Sequence, residues 1–226
     1  MDKIRQINEL AAKRKKNVPT GYKGIGNFFG GIFECDWVTP YSISSHNVDA
    51  DVLIVLQDWC SEEYLLDLAE EKKRELSKLG HDTVLPTNKN LKRFLKEHFK
   101  SELRDVYLTN LFPFVKPGEM KADIPSQLLR NSAAEFTIQE IKIVQPMLVV
   151  CCGIKVFNAL AGAADKNKVK NLNEAATTSF YIDGSHVQAV CHPGALGLAN
   201  RNKGGIDRNK TDWQNLPLIR RVDSVI

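Results

Sequence analysis

The sequence predicts an α/β protein with three layers, helices covering both faces of a central four-stranded parallel sheet. Two observations carry this. Four short, nearly continuous apolar runs are each of strand length, as expected where both faces of a strand are covered. Between them lie longer stretches with apolar residues at helical spacing, and that alternation is the mark of parallel βαβ units.

The elements follow in order. Residues 3–16 place Ile4, Ile7, Leu10 and Ala11 on one helical face and end in the basic run Lys13-Arg14-Lys15-Lys16. The glycine-rich stretch from Val18 to Gly31 reads as loop. Its Gly24-x-Gly26 has neither a strand before it nor a clear helix after it, so it lacks the context of a dinucleotide motif. The first 34 residues therefore read as a helix-and-loop extension of a single domain spanning 1–226. The run from Asp51 to Gln57 is the first strand. Ser61 caps a helix with Glu62 and Glu63 in its first turn, and Gly80 ends it. A second helix covers 88–99, with Leu91, Phe94, Leu95 and Phe99 on one side. Val106 to Thr109 is the second strand. Ser132-x-x-Glu135 has the form of a capping box opening the next helix. Met147 to Cys152 is the third strand, leading through Gly153 into a helix, and Val187 to Cys191 is the fourth.

A chain of 226 residues with 43% hydrophobic content has enough apolar surface for one sizeable core. No run approaches the roughly 18 apolar residues of a membrane span, and Met1-Asp2-Lys3-Ile4-Arg5 lacks the apolar region of a secretory signal. A cytoplasmic protein with no membrane partner is the expectation. Five cysteines without a C-x-x-C spacing point to reduced thiols with packing roles rather than disulfides or a structural zinc. The net charge of +4 permits a phosphate-rich partner without demanding one.

In parallel sheets, ligands bind beyond the carboxyl ends of the strands. The residues just past each predicted strand are Gln57-Asp58-Trp59, then Asn110, then Gly153, then His192-Pro193-Gly194. A carboxylate, an amide and an imidazole converge on one rim. Each also has an ordinary reading: Asp58 as a helix cap, Asn110 as a turn residue, His192 as a loop histidine bonded to backbone. Their meeting at the ligand rim favours function.

These residues resemble the uracil-DNA glycosylase superfamily, most closely its family-1 type. The family's water-activating motif G-Q-D-P-Y-H is matched by Leu56-Gln57-Asp58-Trp59-Cys60-Ser61, which keeps the Gln-Asp pair. Its uracil-binding strand N-x-V-L-T-V-R-x-G-E is similar to the stretch from Asn110 through Val115-Lys116-Pro117-Gly118-Glu119. Its intercalating loop H-P-S-P-L-S resembles His192-Pro193-Gly194-Ala195-Leu196-Gly197, followed by Arg201 and Asn209-Lys210-Thr211. A proline-led loop running into a helix is similar to Pro86-Thr87-Asn88-Lys89-Asn90-Leu91-Lys92, and Thr39-Pro40 precedes the first strand. The resemblance spans about residues 35–215. It departs at Cys60, which stands in place of the motif's tyrosine, at Trp59 in place of its proline, and at Ile154, where the family has a serine.

The resemblance implies a monofunctional DNA N-glycosylase of base excision repair. Asp58 and His192 would be catalytic, the first orienting water and the second donating to the departing base. Gln57, Trp59, Asn110 and Phe112 would bind the base, with His81, Phe112 and Phe114 each placed as a possible stacking ring. Pro86, Lys89, Gly153, Leu196 and Arg201 would contact DNA, helped by Lys92, with Leu196 as the wedge that holds the duplex open. Neither a metal nor an organic cofactor is implied, the partner is DNA carrying uracil or a related damaged base, and a monomer is expected. The competing readings are a non-catalytic DNA- or base-binding module on the same fold and a small-molecule α/β enzyme.

Overall fold

The computed structural model describes residues 2–217. Five strands form one sheet in the order β2-β1-β3-β5-β4: β1 Val52–Asp58, β2 Tyr107–Phe112, β3 Leu148–Cys152, β4 Ser179–Ile182 and β5 Ser185–Val190. All neighbours are parallel except β4, which runs antiparallel to β5 at the edge. The expected four parallel strands are therefore joined by a fifth. Ile182 and Ser185 pair across Asp183-Gly184, both with positive φ, the backbone a tight two-residue hairpin requires. β4 is short and half exposed, so it carries no long apolar run to betray it.

Ten helices surround the sheet among the described residues. They are α1 Lys3–Lys16, α2 Glu62–Leu66, α3 Glu70–Leu79, α4 Pro86–Phe94, α5 Ser126–Ser132, α6 Ile138–Val144, α7 Ile154–Ala163, α8 Leu172–Thr177, α9 Ala195–Arg201 and α10 Arg208–Gln214. None is long and apolar enough to cross a membrane. Strand alternation splits the core in two. Leu53, Val55, Val149 and Val187 face one apolar cluster with Ile7, Phe136, Ile141 and Phe157. Val52, Ile54, Leu56, Val150 and Val190 face the other, with Leu76, Leu91, Phe94 and Trp213.

Four further expectations change. The helix expected from Ser61 to Gly80 is two helices, broken between Leu66 and Glu70. Ser61 does cap the first by accepting from the Tyr64 amide, and Gly80 closes the second in the left-handed conformation. Ser132 caps nothing. Its φ of −62° and ψ of −38° are helical, and it sits where α5 runs through a π turn (Ala133–Thr137) into α6; a capping residue needs extended backbone. Finally, β2 continues to Phe112, so Asn110 lies inside the strand instead of just past it. The helix over 88–99 begins earlier, at Pro86, and closes in a π turn, Leu95–Phe99.

The N-terminal helix α1 is built into the core. Ile7 and Ala11 are buried, and Lys3 Nζ donates to the Val144 carbonyl at the end of α6. Buried Arg14 pairs with Glu34 and also donates to the Cys35 carbonyl. The five cysteines are free thiols, and all but Cys35 are buried.

Candidate functional site

The site begins where β1 ends. Asp58 Oδ1 accepts from Gln57 Nε2 at 2.9 Å, and Oδ2 faces Lys116 Nζ at 2.8 Å. Lys116 reaches this place because the chain beyond β2 stays extended and runs past the start of α2. Val115 bridges Lys23, Lys116 bridges Ser61, and the Glu62 amide donates to the Lys116 carbonyl at 2.9 Å. Only 3% of the Lys116 side chain and 10% of that of Asp58 remain exposed. An ion pair this deep sacrifices much of its Coulomb gain to desolvation, and removing either member strands the other charge.

His192 stands across the mouth of β3 from this pair. Its Nδ1 accepts from the Gly194 amide at 3.0 Å, so in the neutral ring the proton sits on Nε2, which is left as a donor. Burial lowers its pKa; the Asp58 charge opposes that shift and the Lys116 charge adds to it. His192 thus senses both partners of the ion pair and favours the uncharged imidazole. The turn that holds it is tight. A side-chain carbon on Gly194 would fall 2.9 Å from His192 Nδ1, and one on Gly197 only 2.2 Å from the His192 carbonyl oxygen. Gly153, at φ +109°, lets the chain leave β3 beside this turn. From the other side, Asn90 Nδ2 donates to the Pro193 carbonyl at 2.8 Å.

Register places the third residue. Asn110 pairs with Leu56, and Leu56 shares its face with Asp58 two residues on. Extending the rows across β3 and β5 puts Asn110, Leu56, Cys152 and Val190 in line, with Asp58 and His192 one row further out on the same face. Within that row Asp58 and His192 are two strand spacings apart, about 10 Å between backbones. Asn110 is wholly buried, and among the described residues neither its Oδ1 nor its Nδ2 has a hydrogen-bond partner. Leaving an amide unsatisfied in this way costs about 1–3 kcal/mol per group, which is unusual in a folded core.

Tyr41, which the sequence did not single out, covers this face. Its hydroxyl donates to Asn88 Oδ1 at 2.6 Å and its ring lies parallel to His81 at 5.8 Å. Burial is the main reason its hydroxyl pKa is raised, and the charge of Asp58 contributes. The pairing of Lys116 with Asp58 arises from a return of the chain that no local pattern announces.

The remaining expected site residues divide. Leu196, on the first turn of α9, is 76% exposed. Pro86 opens α4 and Lys89 is exposed on the same helix. Phe112 is fully buried, packed edge-on against Tyr22 and Phe114. Trp59 is packed into the core, its indole N–H donating to the Gly80 carbonyl at 2.8 Å, so its polar edge is already used. Arg201 forms a forked pair with Asp212, Nε to Oδ2 at 2.7 Å, and also donates to Asn173. With 10% of its side chain exposed, it braces α9 against α10.

Among the described residues, no three His, Cys, Asp or Glu side chains gather as a metal site. A cavity of about 470 Å³, walled by His81, Lys92, Lys96 and Arg104, opens on the far half of α4 and includes none of Asp58, Asn110 or His192 in its lining. Comparison with models of known protein families and with curated proteins finds no match for this chain.

Proposed function

We propose that this chain is a DNA N-glycosylase of the uracil type, with a uracil-DNA-glycosylase-like arrangement of its sheet and helices. The observation that carries the reading is Asn110: a buried amide with both halves unsatisfied, one row beneath a carboxylate and a neutral imidazole. Such a group is costly unless something fills it. The Watson–Crick edge of uracil does, its O4 accepting from the amide NH₂ and its N3–H donating to the amide oxygen. Cytosine presents the reverse pattern and would be refused. Because Asn110 is sealed from solvent, the residues over it must part to admit the base, and the binding energy released at the amide offsets that opening.

The chemistry runs on protein groups. Asp58, held by Gln57 and Lys116, positions water at the sugar C1′ and stabilises positive charge developing there. General-base assistance of this kind contributes about 10²–10⁴-fold. His192 donates from Nε2 to uracil O2 as the base departs with negative charge, and a neutral ring suffices for that. Extrusion from the stack costs a few kcal/mol, which Leu196 as wedge and phosphate contacts from Lys89 and Lys92 offset.

One observation favours the second reading, a non-catalytic base-binding module: each oxygen of Asp58 is already engaged. A carboxylate has about four acceptor sites, however, and two are occupied, so a water still has a place. The experiment is a panel of oligonucleotides carrying uracil, hypoxanthine or xanthine, assayed for alkali-labile abasic sites. Uracil release that Asp58→Asn slows at least about 10²-fold supports the glycosylase. DNA binding without release of any of the three bases supports the module and ends the catalytic reading.

A further inference from the structure

The ion pair between Lys116 and Asp58 has a chemical use that base hydrolysis leaves idle. We propose that Lys116 forms an imine with the aldehyde of an abasic deoxyribose, which makes this chain a DNA lyase as well as a hydrolase. The inference rests on the reading of Asp58 as the residue facing the sugar C1′. Lys116 Nζ lies 2.8 Å from Asp58 Oδ2, so an atom placed against that carboxylate is within reach of the amine. The lysine is almost wholly buried, with the Met120 carbonyl as its other partner. As a structural device this pair is a poor choice, since packed apolar residues stabilise a core as well or better. A desolvated lysine attacks carbonyl carbon once its proton is removed, and Asp58 is the group beside Lys116 placed to take that proton.

The step balances within the pair. Lys116 passes a proton to Asp58, and the free amine adds to the open-chain C1′ aldehyde, forming a C–N bond as the carbonyl π bond becomes a hydroxyl. Asp58 returns its proton to that hydroxyl, water leaves, and a protonated imine remains with the carboxylate restored. The imine acidifies C2′. Loss of the C2′ proton to Asp58 breaks the C3′–O bond and releases the downstream strand with its 5′-phosphate. Water then hydrolyses the imine and regenerates the amine.

The test supplies DNA with a preformed abasic site, so no base release is needed, and adds sodium cyanoborohydride to reduce any imine. The full chain is expected to yield a covalent protein–DNA complex on a denaturing gel, with the cross-link mapping to Lys116. Lys116→Arg keeps the charge beside Asp58 but forms no stable imine; it should bind the same DNA, retain the native circular dichroism spectrum and give no complex. Lys116→Gln checks the result without the charge. The proposal is overturned if the folded wild-type chain gives no complex, if the cross-link maps elsewhere, or if Lys116→Arg traps as well as wild type. Uracil release without trapping removes the lyase and leaves the glycosylase; trapping without uracil release does the reverse.

Discussion

Asn90 and Pro193 lie 103 residues apart, and the Asn90 side-chain amide donates to the Pro193 carbonyl at 2.8 Å. This bond joins α4, which begins at Pro86, to the turn that presents His192. A second tie comes from packing, since the Thr87 hydroxyl would fall 3.1 Å from a side-chain carbon at Gly194. The ring that would meet the departing base is thus held by a helix that would also contact phosphate. On the proposed reading, DNA engagement and orientation of the imidazole would be mechanically linked.

Gly197→Ala tests how rigid that turn must be. The added methyl would lie 2.2 Å from the His192 carbonyl oxygen, a backbone atom, so α9 has to shift. Overpacking of this kind costs about 1–3 kcal/mol. A lower urea midpoint and displaced His192 ring resonances are expected; an unchanged midpoint would mean the turn yields freely.

Asn110→Leu should separate stability from function. It replaces an unsatisfied buried amide by an apolar group of similar size, removing a penalty of about 1–3 kcal/mol. A higher melting temperature together with lost uracil release is expected, the trade seen where a site is strained for its ligand. A variant that melts lower would show that Asn110 is satisfied in solution.

Leu196→Ala removes a side chain that is 76% exposed, so stability should change by less than about 0.5 kcal/mol. Excision from duplex DNA should fall while excision from single strands, which need no wedge, stays near wild type. Equal losses on both substrates would argue against an intercalating role.

Glu140 offers a pH test away from the site. It is fully buried, accepting from the Tyr107 hydroxyl at 2.9 Å and from Thr109 at 3.1 Å, and desolvation pushes its pKa up to about 8. The folded protein therefore holds a proton that the unfolded chain loses near its ordinary value of 4.5. That contribution to stability is full below about 4.5 and is lost as pH rises towards 8. Glu140→Gln, neutral throughout, should gain on wild type steadily across that window in denaturant titrations. Parallel curves at all pH values would contradict a protonated Glu140.

Much of the candidate site was legible because the parallel sheet places function at strand ends. Asp58 and His192 were identified by position alone, and the structure sets them on one face, with the His192 ring close enough to sense the Asp58 charge. Asn110 was picked for the same reason but lies a row deeper. The sequence shows that β2 is apolar without showing that the strand continues through the amide to Phe112. The pairing of Arg201 with Asp212, eleven positions on, is written in no local spacing and emerges only when α9 and α10 meet. The edge strand β4 has little apolar pattern of its own, and Asp183-Gly184 is its one local hairpin signal.

From the sequence alone came the helix–strand alternation, the two-sided burial of the central strands and the rim on which chemistry would sit. These are local and periodic properties, written in the spacing of apolar residues. Tertiary structure alone decided that Lys116 folds back onto Asp58, that Asn110 is left without partners, and that Gly197 must be bare for His192 to turn. Each depends on segments distant along the chain meeting within a few ångströms, a distance that no pattern of spacing records.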